Sequence, residues 1–240
     1  MPPTLIESLE PRRLFTISLG ASHILNVRGS PGAPNTITVG LAPGGLSVYA
    51  DVSWPTKKKV INQTATFPLS RGILQVTING GNLADIITID QTNGSFPIKT
   101  AILSHNGNDT INGGDEPDKI VLGNGNDVVN SGNGKDNLYA GLGHDTITGG
   151  SGNDVFHGSV RGHDKMIAGD GSNIFVDPHG TDTVMGGSGH NTFVLKNIQL
   201  DPENNYDPTK DTIKQYVPPS APQESLGQSI IDDIFNYGLF

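Results

Sequence analysis

Residues 104–194 repeat one arrangement of polar and apolar positions. A large apolar side chain returns at a nine-residue interval as Ile111, Ile120, Val129, Leu138, Ile147, Phe156, Met166, Phe175, Val184 and Phe193. Two residues before each stands Asp109, Asp118, Asp127, Asp136, Asp145, Asp154, Asp164, Asn173, Asp182 or Asn191. Two residues earlier again stands a glycine, including Gly107, Gly125, Gly134, Gly143 and Gly152, except where Glu116 takes the place. The repeat at residues 158–167 carries one extra residue. A period of nine is that of a six-residue loop followed by a three-residue strand. Glycine supplies the backbone conformations that such a sharp loop needs. The apolar residue of each strand is then expected to point inward.

Two such half-coils close one turn of a parallel solenoid with a sheet on each side. Successive turns stack at the ordinary strand spacing of about 4.8 Å. The expected fold is therefore all-β, a right-handed parallel β-roll or β-solenoid. Its core is thin, with one large apolar side chain per half-coil, and is not expected to hold the stack by itself.

Composition sharpens this picture. Glycine accounts for 32 of the 240 residues, cysteine is absent, and the net charge is -9. Residues 105–194 hold 20 of the glycines, with 12 acidic and 4 basic residues, a net of -8. The remaining residues hold 12 acidic and 11 basic, a net of -1. Disulfides and thiol chemistry are excluded. No apolar run approaches the ~18 residues of a membrane span, and an acidic surface argues against nucleic acid.

Alternate loops fall on opposite edges of the solenoid. One edge collects Asp109, Asp127, Asp145, Asp164 and Asp182. The other collects Asp118, Asp136, Asp154, Asn173 and Asn191. Like charges one strand spacing apart oppose folding unless a counter-ion separates them. A hard cation between loops would take carboxylate oxygens and carbonyls freed by the glycine turns. Calcium accepts six to eight oxygens in flexible geometry, whereas magnesium demands a strict octahedron and zinc prefers nitrogen or sulfur. The competing reading is a metal-free ladder of Asn and Asp.

The repeats resemble the RTX (repeats-in-toxin) calcium-binding nonapeptide, GGxGxDxUx. Residues 149–157, GGSGNDVFH, are the nearest copy. The resemblance implies a β-roll, several bound calcium ions, folding driven by calcium outside the cell, and export. Its metal-binding positions map onto Asp109, Asp118, Asp127, Asp136, Asp145, Asp154, Asp164 and Asp182, with Gly107, Gly125, Gly134, Gly143 and Gly152. Departures occur at Glu116-Pro117, at the insertion near Arg161, and at Asn173 and Asn191. Calcium is expected to be weak or missing at the end of the edge that carries the asparagines.

The flanks are read as follows. Residues 1–21 contain SLEPRRLF, which resembles the LEPR-XLL segment of bacterial extracellular proteins, followed by a short export-like apolar stretch. Residues 22–103 read as an irregular β-solenoid or small sheet that caps the first coil. Its candidate strands are 24–27, 36–39, 46–52, 74–78 and 86–90. Gly80-Gly81-Asn82-Leu83-Ala84-Asp85 is a degenerate repeat within it. Lys57-Lys58-Lys59 is its one basic run, a solvated hairpin tip or a contact for an anionic glycan or lipid. Residues 195–240 read as a Pro/Asn/Asp-rich linker followed by an amphipathic helix at 223–240, a cap or a secretion signal.

No HExxH or GxSxG motif is present. Asp177-Pro178-His179 matches part of the YGFDPH motif of mannuronan C5-epimerases but lacks its tyrosine. His144, His163 and His190 precede column-six residues and are expected to face solvent. The expected protein is therefore a secreted calcium-binding β-roll without catalysis. It would act as a surface, adhesive or structural module, with an extracellular glycan or cell surface as its partner. The alternative is an accessory module of, or a small, carbohydrate-active enzyme such as a polyuronate epimerase or lyase.

Overall fold

The computed structural model describes residues 16–56, 59–159, 161–177, 182–195 and 208–215. Two sheets face one another across the core. The first contains β1 (Thr16–Leu19), β2 (Ile24–Arg28), β6 (Gln75–Gly81), β8 (Thr100–His105) and β10 (Asp118–Val121). It continues through β12 (Asn137–Tyr139), β14 (Val155–His157), β16 (Ile174–Asp177), β18 (Thr192–Leu195) and β19 (Thr212–Gln215). The second begins at β5 (Val60–Pro68), β4 (Ser47–Pro55), β3 (Thr36–Leu41) and β7 (Ile86–Asp90). It continues through β9 (Thr110–Asn112), β11 (Val128–Asn130), β13 (Thr146–Ser151), β15 (Lys165–Asp170) and β17 (Thr183–Met185).

From β6 to β18 the chain alternates between the sheets, so every neighbour within a sheet is one full coil away. Pairing is parallel and in register: Ile111 meets Val129, Val129 meets Ile147, and Ile120 meets Leu138. The fold is a β-roll. All ten apolar column residues are buried. They stack coil upon coil, with Phe156, Phe175 and Phe193 forming a ladder of rings at 4.8 and 5.1 Å.

The insertion near Arg161 is absorbed in its loop. Thr146 pairs with Lys165 and Val155 with Ile174, 19 residues apart rather than 18, without loss of inward facing. A loop can take an extra residue because it lies outside the strand register, whereas a one-residue slip in a strand would expose the core.

The expected strands in residues 22–103 are present as β2, β3, β4, β6 and β7. They belong to the same two sheets as the repeats. The structure adds β1, β5 and β8. β3, β4 and β5 form an antiparallel meander that extends the second sheet beyond the first coil. It closes that end with buried Val48, Ala50, Val52 and Trp54. β5 is hard to read from sequence because none of its residues is fully buried. β1 lies in the stretch read as export-like and pairs antiparallel with β2.

The solenoid also runs further than residue 194. Thr212–Gln215 pairs parallel with β18 inside the stretch read as linker. The LEPR-XLL-like segment up to residue 15, Lys57-Lys58, Pro178-His179 and the helix expected at 223–240 lie outside the described residues. Among the described residues the only helical element is a single 3-10 turn at Leu69–Arg71, and no helix is long and apolar enough to cross a membrane.

Candidate metal centre

The column-six side chains do not stand on the surface. Asp109, Asp118, Asp127, Asp136, Asp145, Asp154, Asp164, Asp182, Asn173 and Asn191 are all buried beneath their loops. Each places Oδ1 where it accepts the backbone N–H of the same column in the preceding coil. On one edge Asp109 N donates to Asp127 Oδ1 (2.7 Å), Asp127 N to Asp145 Oδ1 (2.8 Å), Asp145 N to Asp164 Oδ1 (2.9 Å) and Asp164 N to Asp182 Oδ1 (2.9 Å). On the other, Asp118 N donates to Asp136 Oδ1 (2.8 Å), Asp136 N to Asp154 Oδ1 (2.9 Å), Asp154 N to Asn173 Oδ1 (2.9 Å) and Asn173 N to Asn191 Oδ1 (3.1 Å). The two expected edges exist, and this bond welds each coil to the next.

Two further residues belong to the ladders. Asp85 N donates to Asp109 Oδ1 at 2.7 Å. Asn191 N donates to Asp211 Oδ1 at 2.8 Å. Asp85 was legible as a degenerate repeat but not as part of a site. Asp211 had one signal, the spacing Asp211–Ile213 that matches column six to the apolar column.

The second side-chain atom divides these residues. In Asp109, Asp127, Asp136, Asp145, Asp154 and Asp164, Oδ2 is buried and accepts no hydrogen bond. Burial pushes these carboxyls up from their ordinary range, to about 6 at Asp127, about 7 at Asp136 and about 8 at Asp145, where neighbouring carboxylates add to the effect. Asp109, Asp154 and Asp164 move the same way for the same reason. In Asn173 and Asn191 the corresponding atom is Nδ2, a donor. Asn173 Nδ2 donates to Gly171 O (3.2 Å) and Asn191 Oδ1 (3.1 Å). Asn191 Nδ2 donates to Gly189 O (3.2 Å) and Asp211 Oδ1 (3.2 Å).

Because Oδ1 is held alike in both residue types, an aspartate Oδ2 takes the place of the asparagine Nδ2. It therefore faces its own loop's glycine carbonyl and the next coil's Oδ1. Around Asp127, Asp145 and Asp154 three acceptors converge with no donor among them, whereas the serines five residues earlier, Ser104, Ser131 and Ser159, stand beside the carboxylates of Asp109, Asp136 and Asp164. Unpaired buried acceptors of this kind are costly, and a cation is what relieves them.

The glycines two residues before column six keep those carbonyls accessible. Gly107, Gly125, Gly134, Gly143 and Gly152 hold φ between 124° and 152°. A methyl at Gly125 or Gly152 would overlap the carbonyl oxygen of Gly107 or Gly134 in the coil below. Among the described residues no three His, Cys, Asp or Glu side chains converge on a point. A bound cation must take much of its shell from backbone oxygens. That donor set suits calcium and not zinc.

The family model of the RTX calcium-binding nonapeptide repeat (4 copies) matches residues 105–138, 131–160 and 161–193. The chain carries RTX calcium-binding repeats. RTX nonapeptide repeats bind calcium, several ions per repeat region, and proteins that carry them are typically secreted. As a family they are typically non-catalytic modules. No curated protein and no solved structure matches the chain.

Within the RTX repeats two expected site residues stand apart. Asp118 has both oxygens satisfied by protein. Oδ1 accepts Thr100 N (3.1 Å) and Thr100 Oγ1 (2.7 Å), and Oδ2 accepts Gly114 N (3.0 Å). Its loop is the one with Glu116-Pro117. Asp182 supplies Oδ1 to Asp164 N, while residues 178–181 of its own loop lie outside the described set.

The histidines face solvent but continue a second ladder. Asn126 N donates to Asn108 Oδ1, His144 N to Asn126 Oδ1 and His163 N to His144 Nδ1. The rings of His144 and His163 stack at 5.4 Å. They tie neighbouring loops together without converging on a ligand. Asp177 ends β16 inside the roll, and the rest of the Asp-Pro-His triplet lies outside the described residues.

Proposed function

We propose that this chain is an extracellular β-roll whose repeats fold onto calcium, serving as a surface, adhesive or structural module without catalysis of its own. The observation that carries this reading is the run of buried Oδ2 atoms beside glycine carbonyls, with no donor between them at Asp127, Asp145 and Asp154. Among the described residues, Asp109, Asp127, Asp145 and Asp164 hold ions along one edge, with Asp182 contributing Oδ1 to the last. Asp136 and Asp154 hold them along the other. The carbonyls of Gly107, Gly125, Gly134, Gly143 and Gly152 contribute to these sites. Asp118 needs no ion, because Thr100 and Gly114 already supply its donors.

Calcium does no bond-making chemistry here. It neutralises buried carboxylates and bridges coils whose apolar core is one side chain wide. Extracellular modules bind calcium with dissociation constants of roughly 10⁻⁴–10⁻³ M, so such a chain stays unfolded where calcium is scarce and folds after export. Circular dichroism of metal-stripped protein during calcium titration tests this. We expect β signal and thermal stability to rise together with calcium. A chain that keeps its full β signal and melting temperature after chelation would refute the reading. Binding of the calcium-loaded protein to cells or to an acidic glycan, lost with chelator, tests the adhesive role. Turnover of alginate would instead identify a polyuronate-processing enzyme.

A further inference from the structure

We infer that the calcium ladder begins one coil before the matched repeats, at a site built by Asp85. This inference rests on the calcium reading of the repeats and extends it to residues outside the family match, which starts at residue 105. Four observations carry it.

Asp85 is only 1% exposed, and its Oδ2 accepts no well-formed hydrogen bond, the Gly81 N–H approaching the carboxylate without the close bond that Gly114 makes to Asp118. Its Oδ1 is already occupied, by Asn35 N at 2.6 Å and Asn35 Nδ2 at 2.8 Å. The free oxygen lies where the repeats place theirs. A methyl built on Gly80 would be 2.6 Å from Asp85 Oδ2, and one built on Gly149 would be 2.5 Å from Asp154 Oδ2. The loop carbonyl is also in position. A methyl on Gly107 would meet Leu83 O at 2.8 Å, just as one on Gly125 would meet Gly107 O.

Leu83 breaks the glycine column, which is why a repeat pattern passes over this loop. The leucine side chain is 44% exposed and leaves its carbonyl facing the next coil. Asp85 N on Asp109 Oδ1, at 2.7 Å, completes the same weld between coils that the repeats use. The acceptors at this loop are thus the buried Asp85 Oδ2 and Asp109 Oδ1 with the Leu83 carbonyl, an all-oxygen set for a hard divalent cation. Asn35 closes the ladder on the far side. Its Nδ2 donates to Ala33 O at 3.0 Å and Ser30 O at 3.1 Å, so that loop needs no ion.

The test is calcium stoichiometry of the full-length chain by equilibrium dialysis, for wild type, Asp85→Asn and Asp145→Asn. Asparagine at either place makes the bonds that Asn35 and Asn173 make, so both variants keep the roll. We expect each to bind one calcium fewer than wild type. Loss of one ion in Asp145→Asn with none lost in Asp85→Asn overturns this inference and leaves the calcium reading of the repeats standing. No loss in either overturns both. If Asp85→Asn does not fold, hydrogen exchange of the wild-type protein decides. Slowed exchange at the amides of residues 80–85 on calcium addition, matching that at 104–109, supports the site. Unchanged exchange at 80–85 alone overturns it.

Discussion

The loops that end in aspartate and those that end in asparagine do the same work with opposite chemistry. Both bury the column-six side chain and use Oδ1 to accept a backbone N–H from the preceding coil. In Asn173 and Asn191 the other atom donates to Gly171 O and Gly189 O, so the loop closes on itself. In Asp127 and Asp145 the other atom is an acceptor facing acceptors. One atom thus decides whether a coil is complete from its own chain or only with an ion. The asparagine end of the second edge is not a decayed repeat but a coil locked by an amide.

Chelation is the largest test of that difference. At a hundredfold excess of calcium over its dissociation constant, each ion contributes about 2.7 kcal/mol. Removing all of them should cost the aspartate coils their protection while residues 16–79, with Asn35, and the loops closed by Asn173 and Asn191 keep more of theirs. Hydrogen exchange with and without calcium measures this, and uniform loss along the chain would count against it.

The exchange Asp145→Asn is next. In chelator it should raise stability by ~1–3 kcal/mol, the cost of an unsatisfied buried group, and in saturating calcium it should lower it through the lost ion. Asp145→Ala should be destabilised in both conditions. Thermal melts of the two variants separate an amide lock from simple deletion.

The reverse exchange, Asn173→Asp, should lower metal-free stability by a similar ~1–3 kcal/mol and add one calcium site. Titration calorimetry reads the added ion, and an unchanged stoichiometry would show that position alone does not make a site.

The smallest effect is pH dependence of the metal-free form. Burial raises Asp136 to about 7 and Asp145 to about 8 in the folded chain, above their unfolded value. Their contribution is fully present below the unfolded pKa, near 4, and is lost as pH rises through 7 and 8. His157, lowered by burial to about 4, works the other way: its contribution is fully present above about 6.5 and is lost as pH falls through about 4. His105 is lowered by burial too, and with several carboxyls against these two imidazoles, metal-stripped protein should melt higher at pH 5 than at pH 8. Saturating calcium should shrink the difference.

Much of this was legible in the sequence. A fixed nine-residue interval leaves little freedom, so the inward column, the two edges and the loop residues follow once the period is seen. What escaped notice lies where partners are a whole coil away. Thr100 satisfies Asp118 from outside the repeat motif. Asp85 is masked by Leu83 in the glycine column. Asp211 sits in a stretch whose prolines and asparagines read as linker. The burial of the carboxylates was also hidden, because a charged column in a glycine-rich loop reads as surface until the coils are stacked.

The column-six welds between coils all run one way, from a peptide N–H to the carboxylate or amide oxygen of the coil that follows, while the outer ladder through Asn108 and Asn126 runs the other way. The buried column-six ladders are consequently polar: a bare leading end would present their side-chain oxygens and a bare trailing end their peptide donors. Two copies could continue one another only head to tail, since head to head would set carboxylate against carboxylate. The antiparallel meander of β3, β4 and β5 covers the second sheet at the leading end, and in doing so blocks the geometry that would let such rods polymerise.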